Sequence, residues 1–129
     1  MGFIETTDIL DDDLSPLVKD ADITNVTDWF TMFAREQNVP ASKIKKDPLV
    51  FECKRVCVLW VCCEVARRNV GRNITVSANG TNTDWYQKKL DAYKPELMDA
   101  LRACTPNAIM GISTEADDNS ESLTTYERA

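Results

Sequence analysis

Histidine is absent from this 129-residue chain. Its absence removes the side chain that most often moves protons near neutral pH, and with it His-based nucleophile activation, HExxH metal sites and mixed Cys/His zinc sites. Glycine is scarce, at four residues, and no glycine-rich phosphate loop or nucleophile elbow is present. No spacing of acidic residues supports a magnesium site. The carboxylate runs Asp11–Asp13 and Asp117–Asp118 fall in ends expected to be flexible, where nothing would tune their pKa. The expectation is a protein that is not an enzyme and takes no cofactor or metal. The longest unbroken apolar run, Val56–Cys63, is eight residues. A spanning helix needs about 20, so no membrane segment is expected. The opening MGFIETTDIL has neither a basic nor an apolar signal region, so a secretory leader is not expected.

What remains is a chain with 43% apolar residues and a net charge of −6. The charge is unevenly placed. Residues 1–13 hold five acids and no base, residues 113–129 hold five acids and one base, and the body 14–112 is net +3. This divides the chain into an acidic N-terminal segment (1–13), a helical domain (14–112) and a flexible acidic tail (113–129). Acidic ends on a mildly basic body suit contact with other surfaces, or simply solubilise. The basic residues cluster as Lys43, Lys45, Lys46, Lys54 and Arg55, and as Arg67, Arg68 and Arg72. They suit an acidic protein surface, DNA phosphates or a solvated rim. The overall negative charge disfavours sequence-specific DNA binding but is compatible with lining a DNA channel.

The stretch DPLVFECKRVCVLWVCCEVARRNVG, Asp47 to Gly71, predicts the central element, a helix from about Pro48 to Val70. Asp47 suits the N-cap, Pro48 the first helical position and Gly71 the left-handed residue past the end. A helix that is apolar nearly all round belongs in the middle of a packed domain. Four of the five cysteines lie on it, and the odd count argues against a complete disulfide framework. Cys53 and Cys57 are one turn apart, whereas Cys62 and Cys63 point elsewhere, so buried thiols acting as small hydrophobes are expected.

Around this helix the sequence predicts a small all-α bundle with extended termini. DDDLSPL forms a turn or short helix. Ile23, Val26, Trp29, Phe30, Phe33 and Ala34 make an apolar stripe on a helix from about Asp22 to Gln37, stopped by Asn38 and Pro40. ASKIK is a helical turn that places Ile44 on the core. The polar segment 71–83 is a projecting loop or short β-excursion, with Asn79-Gly80 as a hairpin signal. Arg72, Asn73, Asn79 and Gly80 are its candidates for lining a channel or meeting a neighbouring subunit. The last helix starts near Thr83, with Asp84 in its first turn and Tyr86, Leu90, Tyr93, Leu97 and Leu101 facing inward. Pro95 should kink or split it. NAIMGI then returns onto the body. Trp29, Phe30, Phe33, Trp60, Leu90 and Tyr93 are the expected core, with Trp60 buried among Phe30, Phe33, Leu90 and Tyr93.

The order of parts resembles the head–tail adaptor (connector, or head-completion) proteins of long-tailed bacteriophages. The residues that carry the resemblance are DWFTMFAREQNVP, ASKIKKDPL, the central helix ending ARRNVGRN, and DWYQKKLDAYKPELMDAL. The last is similar to that family's D-x-Y-x-x-K-L-x-x-Y pattern, through Asp84, Tyr86, Lys89, Leu90 and Tyr93. TPNAIMG is similar to its closing segment. The resemblance implies a structural subunit of a homo-oligomeric ring, typically dodecameric, bound below the portal protein in the virion neck and assembled in the host cytoplasm. Such a ring extends the DNA channel, lies close to DNA without reading it, and docks a stopper or tail-completion protein. It also implies a tail that reaches the portal, here with Leu123 and Tyr126 as anchors and Asp117, Asp118 and Glu121 on a basic rim. The alternatives are another phage neck or tail-completion protein and a cellular helical protein-binding module.

Overall fold

The computed structural model describes residues 2–46, 48–72, 74–76 and 82–112. It is a small helical bundle with four helices, α1 (Asp20–Glu36), α2 (Phe51–Asn69), α3 (Trp85–Ala103) and the short α4 (Pro106–Ile109). Two strands, β1 (Ile74–Val76) and β2 (Asn82–Asp84), form an antiparallel hairpin between α2 and α3, with Ile74 opposite Asp84 and Val76 opposite Asn82. The expected β-excursion is therefore present, while its tip, including Asn79 and Gly80, and Asn73 at its base lie outside the described residues. Three 3-10 turns, Thr6–Asp8, Ser15–Leu17 and Ala41–Lys43, complete the order. The last two are the turns expected from DDDLSPL and ASKIK.

Helix α2 is the central element. Buried side chains point from it in every direction: Cys53, Val56, Cys57, Leu59, Val61, Cys62, Cys63, Val65 and Ala66. Its largest interface is with α3, and α1 and α4 cover the remainder. The helix starts later than the Asp47-Pro48 signal suggested. Val50 is the N-cap, in extended conformation, and the chain before it is used differently: Leu49 is buried while Pro48 is exposed. Burying Leu49 fixes the direction from which the chain arrives, and this outweighs the local preference for a helix start at Pro48. Asp47 itself lies outside the described residues. At the other end Gly71 takes φ +90, the left-handed conformation expected of it.

The end of α1 shows how local chemistry sets a boundary. Asn38 is left-handed at φ 67, its N–H donates to Arg35 O at 2.9 Å, and the Val39 N–H donates to Ala34 O at 2.8 Å. This is a Schellman motif, with asparagine in the glycine position and buried Val39 supplying its apolar contact. Helix α3 runs unbroken through Pro95 rather than splitting. At about 100° per residue, Pro95 lies about 160° from the centre of the inner stripe, on the exposed side of the helix together with Asp91, whose carbonyl it leaves unbonded.

The N-terminal segment, which the sequence suggested as a tail or a lead-in, is packed into the bundle. Ile4, Ile9 and Leu14 are buried. Phe3 donates its N–H to Thr27 Oγ1 at 3.0 Å and sets its ring edge-on to Phe30, with centroids 5.9 Å apart. Gly2 passes so close to α1 that a Cβ there would meet Ile23 Cγ2 at 2.3 Å. At the far end Ile109 is buried, and its carbonyl accepts the Lys45 N–H at 2.9 Å.

The expected core needs one correction. Phe30 is fully buried, but Trp29, Phe33, Trp60, Leu90 and Tyr93 are partly buried and pack against the core from its edge. Trp60 stacks on Trp29 at 5.5 Å between centroids, not deep among Phe30, Phe33, Leu90 and Tyr93. The centre is filled by small side chains of α2 instead, and close helix approach leaves no room there for an indole. Phe30→Ala should therefore cost about 3–5 kcal/mol in a urea melt, and Trp60→Ala clearly less. Equal costs would mean that the aromatic edge carries as much packing as the centre.

Candidate functional site

The D-x-Y-x-x-K-L-x-x-Y motif can be read residue by residue. Asp84 is the N-cap of α3: its Oδ1 accepts the N–H groups of Tyr86 and Gln87, both at 3.1 Å. Its Oδ2 accepts the Gly71 N–H at 2.7 Å. One carboxylate thus caps a helix and ties the start of the 71–84 excursion to its end. Tyr86 and Leu90 face the core, as expected. Lys89 and Tyr93, one turn apart, converge on Asp11: Lys89 Nζ lies 2.9 Å from Asp11 Oδ2, and the Tyr93 hydroxyl donates to the same oxygen. Lys89 also pairs with Asp13 at 3.1 Å.

Asp11 is therefore neither solvated nor untuned, as its place in an acidic run suggested. Its side chain is 8% exposed. Burial by itself would raise its pKa. The hydrogen bonds from Tyr93, Lys89 and the Asp13 and Leu14 N–H groups outweigh that, and the carboxyl sits below its ordinary 3.8. The same contact raises Lys89, and burial together with Asp11 pushes Tyr93 up. A second carboxylate, Asp22, is also buried. Arg68 of α2 grips both its oxygens, at 2.7 and 3.1 Å, and reaches Leu17 O at 3.2 Å, while Asp22 accepts the Lys19 N–H at 2.8 Å. The Arg68 hydrogen bond is the main cause of its lowered pKa, against burial. These carboxylates hold structure together; their partners are cations and a phenol already engaged with them.

A cleft of about 680 Å³ opens between the N-terminal segment, α1 and the approach to α2. Glu5, Asp8, Thr27, Thr31, Lys46 and Lys54 line it, and Lys54 pairs with Asp8 at 3.1 Å. Phe3, Ile4, Pro48 and Leu49 line it as well, so the cleft presents apolar and polar surface together. Among the described residues, no group of three Cys, Asp or Glu is placed to hold a metal ion, and no helix is long and apolar enough to cross a membrane.

The two basic clusters fare differently. Arg67 pairs with Glu64 and Arg68 with Asp22, so that group is largely engaged within the fold. Arg72 is exposed beyond α2, where its N–H donates to Asn69 O at 3.0 Å. Lys43, Lys45, Lys46 and Arg55 are exposed, and the chain passes Lys45 again at Gly111 on its way to residue 113. Leu123, Tyr126, Asp117, Asp118 and Glu121, like Asn73, Asn79 and Gly80, lie outside the described residues.

Large apolar side chains are exposed at Leu10, Met32, Phe51, Trp85 and Met98. On α3 they have a pattern. Trp85 is 45% exposed and Met98 52%, and at about 100° per residue they lie about 110° to either side of the inner stripe. One exposed apolar side chain thus lies on each flank of the same helix, with the Lys88 ammonium already over the Trp85 ring, 4.9 Å from its centroid. Hydrophobic periodicity does not single out these two side chains, because it picks the inner stripe and passes over an apolar residue off it. No protein-family model matches this chain, and no curated protein or solved structure is detectably similar to it.

The Asp11 and Asp22 contacts give stability a pH dependence of definite sign. Both pKa values are lower in the folded than in the unfolded chain, so their stabilisation is full above the ordinary 3.8 and fades as pH falls through the folded values. Asp11→Ala should lower stability at pH 7 by about 2–4 kcal/mol, since it leaves Lys89 and Tyr93 without their buried acceptor. Asp11→Asn should flatten the acid side of the stability profile followed by circular dichroism. An unchanged profile would mean that Asp11 is solvated in solution.

Proposed function

We propose that the chain is a structural subunit of a phage head–tail connector ring, an adaptor below the portal that extends the DNA channel and docks the stopper or tail. The observation that supports this reading best is the pair of exposed apolar side chains, Trp85 and Met98, on the two flanks of α3. A ring interface is heterologous: each subunit offers two different surfaces to two neighbours. An apolar residue on each side of one rigid helix suits that geometry, with a second copy of this chain as the occupant. The helical build and the excursion closed at its base by Asp84 agree with a protein that works by assembly. The mildly basic body, net +3, fits a surface that lies near DNA without binding it tightly.

In this reading the tail, with Leu123, Tyr126 and its acids, reaches the portal. Useful affinity comes from many copies engaging together, because each ordered segment loses conformational entropy. The excursion, with Arg72, Asn73, Asn79 and Gly80, lines the channel or meets the next subunit.

The purified protein should form closed rings by electron microscopy and sediment as an oligomer. Met98→Glu and Trp85→Glu should each leave a folded monomer that no longer assembles. A wild-type protein that stays monomeric across concentration would overturn the ring. Truncation after Ile112 should leave the fold intact yet abolish production of complete tailed particles in a complementation assay. Normal particle yields would remove the tail from the portal contact.

A further inference from the structure

All five cysteines are free and buried. Two of them, 51 positions apart in sequence, meet: Cys53 Sγ on α2 lies 3.4 Å from Cys104 Sγ at the end of α3. We propose that Cys53 and Cys104 form a site of reversible oxidation, closing to a disulfide that staples the central helix to the last one. The inference stands apart from the ring reading and requires only the bundle.

Three observations support it. The sulfur atoms need to approach by only about 1.3 Å to reach bonding distance, a shift that side-chain rotation and slight movement of a helix end can supply. Cys104 is the C-cap of α3, with non-helical backbone at the turn into Thr105 and Pro106, so its position is not locked inside a regular helix. Cys53 sits near the start of α2 and is completely buried, as is Cys57 one turn further on. The hydrogen bond between the pair also favours ionisation of Cys104, against its burial, while it raises Cys53. Cys57 is raised by burial, Cys62 is pushed up to about 12 and Cys63 to about 11, again by burial first. Within the pair, Cys104 is therefore the better nucleophile.

With hydrogen peroxide as the oxidant, the chemistry balances in two steps. The Cys104 thiolate attacks one peroxide oxygen, the O–O bond breaks, and a sulfenic acid forms with release of hydroxide, which takes up a proton to become water. The Cys53 sulfur then attacks the sulfenic sulfur. The S–S bond forms, the S–O bond breaks, and the Cys53 proton leaves with the hydroxyl as a second water. Peroxide is reduced and the two thiols are oxidised. A thiol reductant reverses the product.

The test uses the full chain treated with hydrogen peroxide, then alkylated, digested without reduction and mapped by mass spectrometry. The expected product is one cross-linked peptide pair joining Cys53 to Cys104, with Cys57, Cys62 and Cys63 alkylated only after denaturation. Because the bond closes a long loop, Tm should rise by on the order of 10 °C and fall back with dithiothreitol. Cys104→Ser should lose both the cross-link and the shift; if that variant does not fold, the wild-type peptide map alone decides. A cross-link through Cys57, a Cys104 driven to sulfinic acid without cross-linking, or five free thiols after warming to the onset of melting would each overturn the proposal.

Discussion

A helix that is apolar almost all the way round is stable in water only if the rest of the chain covers it, and α2 imposes that condition here. Its buried residues face α1, α3, α4 and the N-terminal segment at once. Fully burying one valine- or leucine-sized side chain contributes about 1.5–3 kcal/mol, so each covering element has a strong reason to dock. The use of valine and cysteine at the centre has its own consequence. Small side chains let the neighbouring helices come close, and that displaces the large aromatics to the rim, where Trp29, Phe33 and Trp60 stack on one another.

Burial alone does not orient the covering elements, because it is non-directional. Carboxylates supply the direction. Asp22 couples the first turn of α1 to Arg68 near the end of α2, Asp11 couples the N-terminal segment to the middle of α3, and Asp84 couples the end of α2 to the start of α3. A buried ion pair adds little net stability compared with apolar packing, but removing one partner strands the other at a large cost. The effect is selective: arrangements of the same apolar surfaces that leave Lys89 or Arg68 without an acceptor are penalised. The acidic N-terminal segment is therefore part of the bundle's construction and not only a source of solubility.

Much of this was legible in the sequence. The stop at Asn38, the left-handed Gly71, the turn at Ser15–Leu17 and the inner stripe of α3 all follow from preferences acting within a turn or two. What escaped is of another kind. Asp11 meets Lys89 and Tyr93 across separations of 78 and 82 residues, and no local pattern reports such a pairing. Asp22 had a faint local signal, as an acid three residues into a helix, but its burial under Arg68 depends on how α1 crosses α2. The start of α2 was misplaced because Asp47-Pro48 is a sound local start signal, overridden by burial of Leu49. Trp60 was placed too deep because hydrophobicity says that a side chain seeks cover, while its size decides whether the centre has room.

The same constraints bear on assembly. In a ring, any error in the angle between neighbours is repeated at every subunit, so closure needs two contact surfaces held rigidly with respect to each other. In the ring proposed above, both would lie on one helix, since Trp85 and Met98 are related by α3 itself. That helix is in turn held at three points: Asp84 fixes its start, Asp11 its middle through Lys89 and Tyr93, and the buried Cys104 its end against Cys53. Pro95, on the solvent side, removes one hydrogen bond where water replaces it and leaves the inner stripe continuous. The fastening that orients α3 on α2 within one subunit therefore also sets the angle at which its two flanks would meet their neighbours.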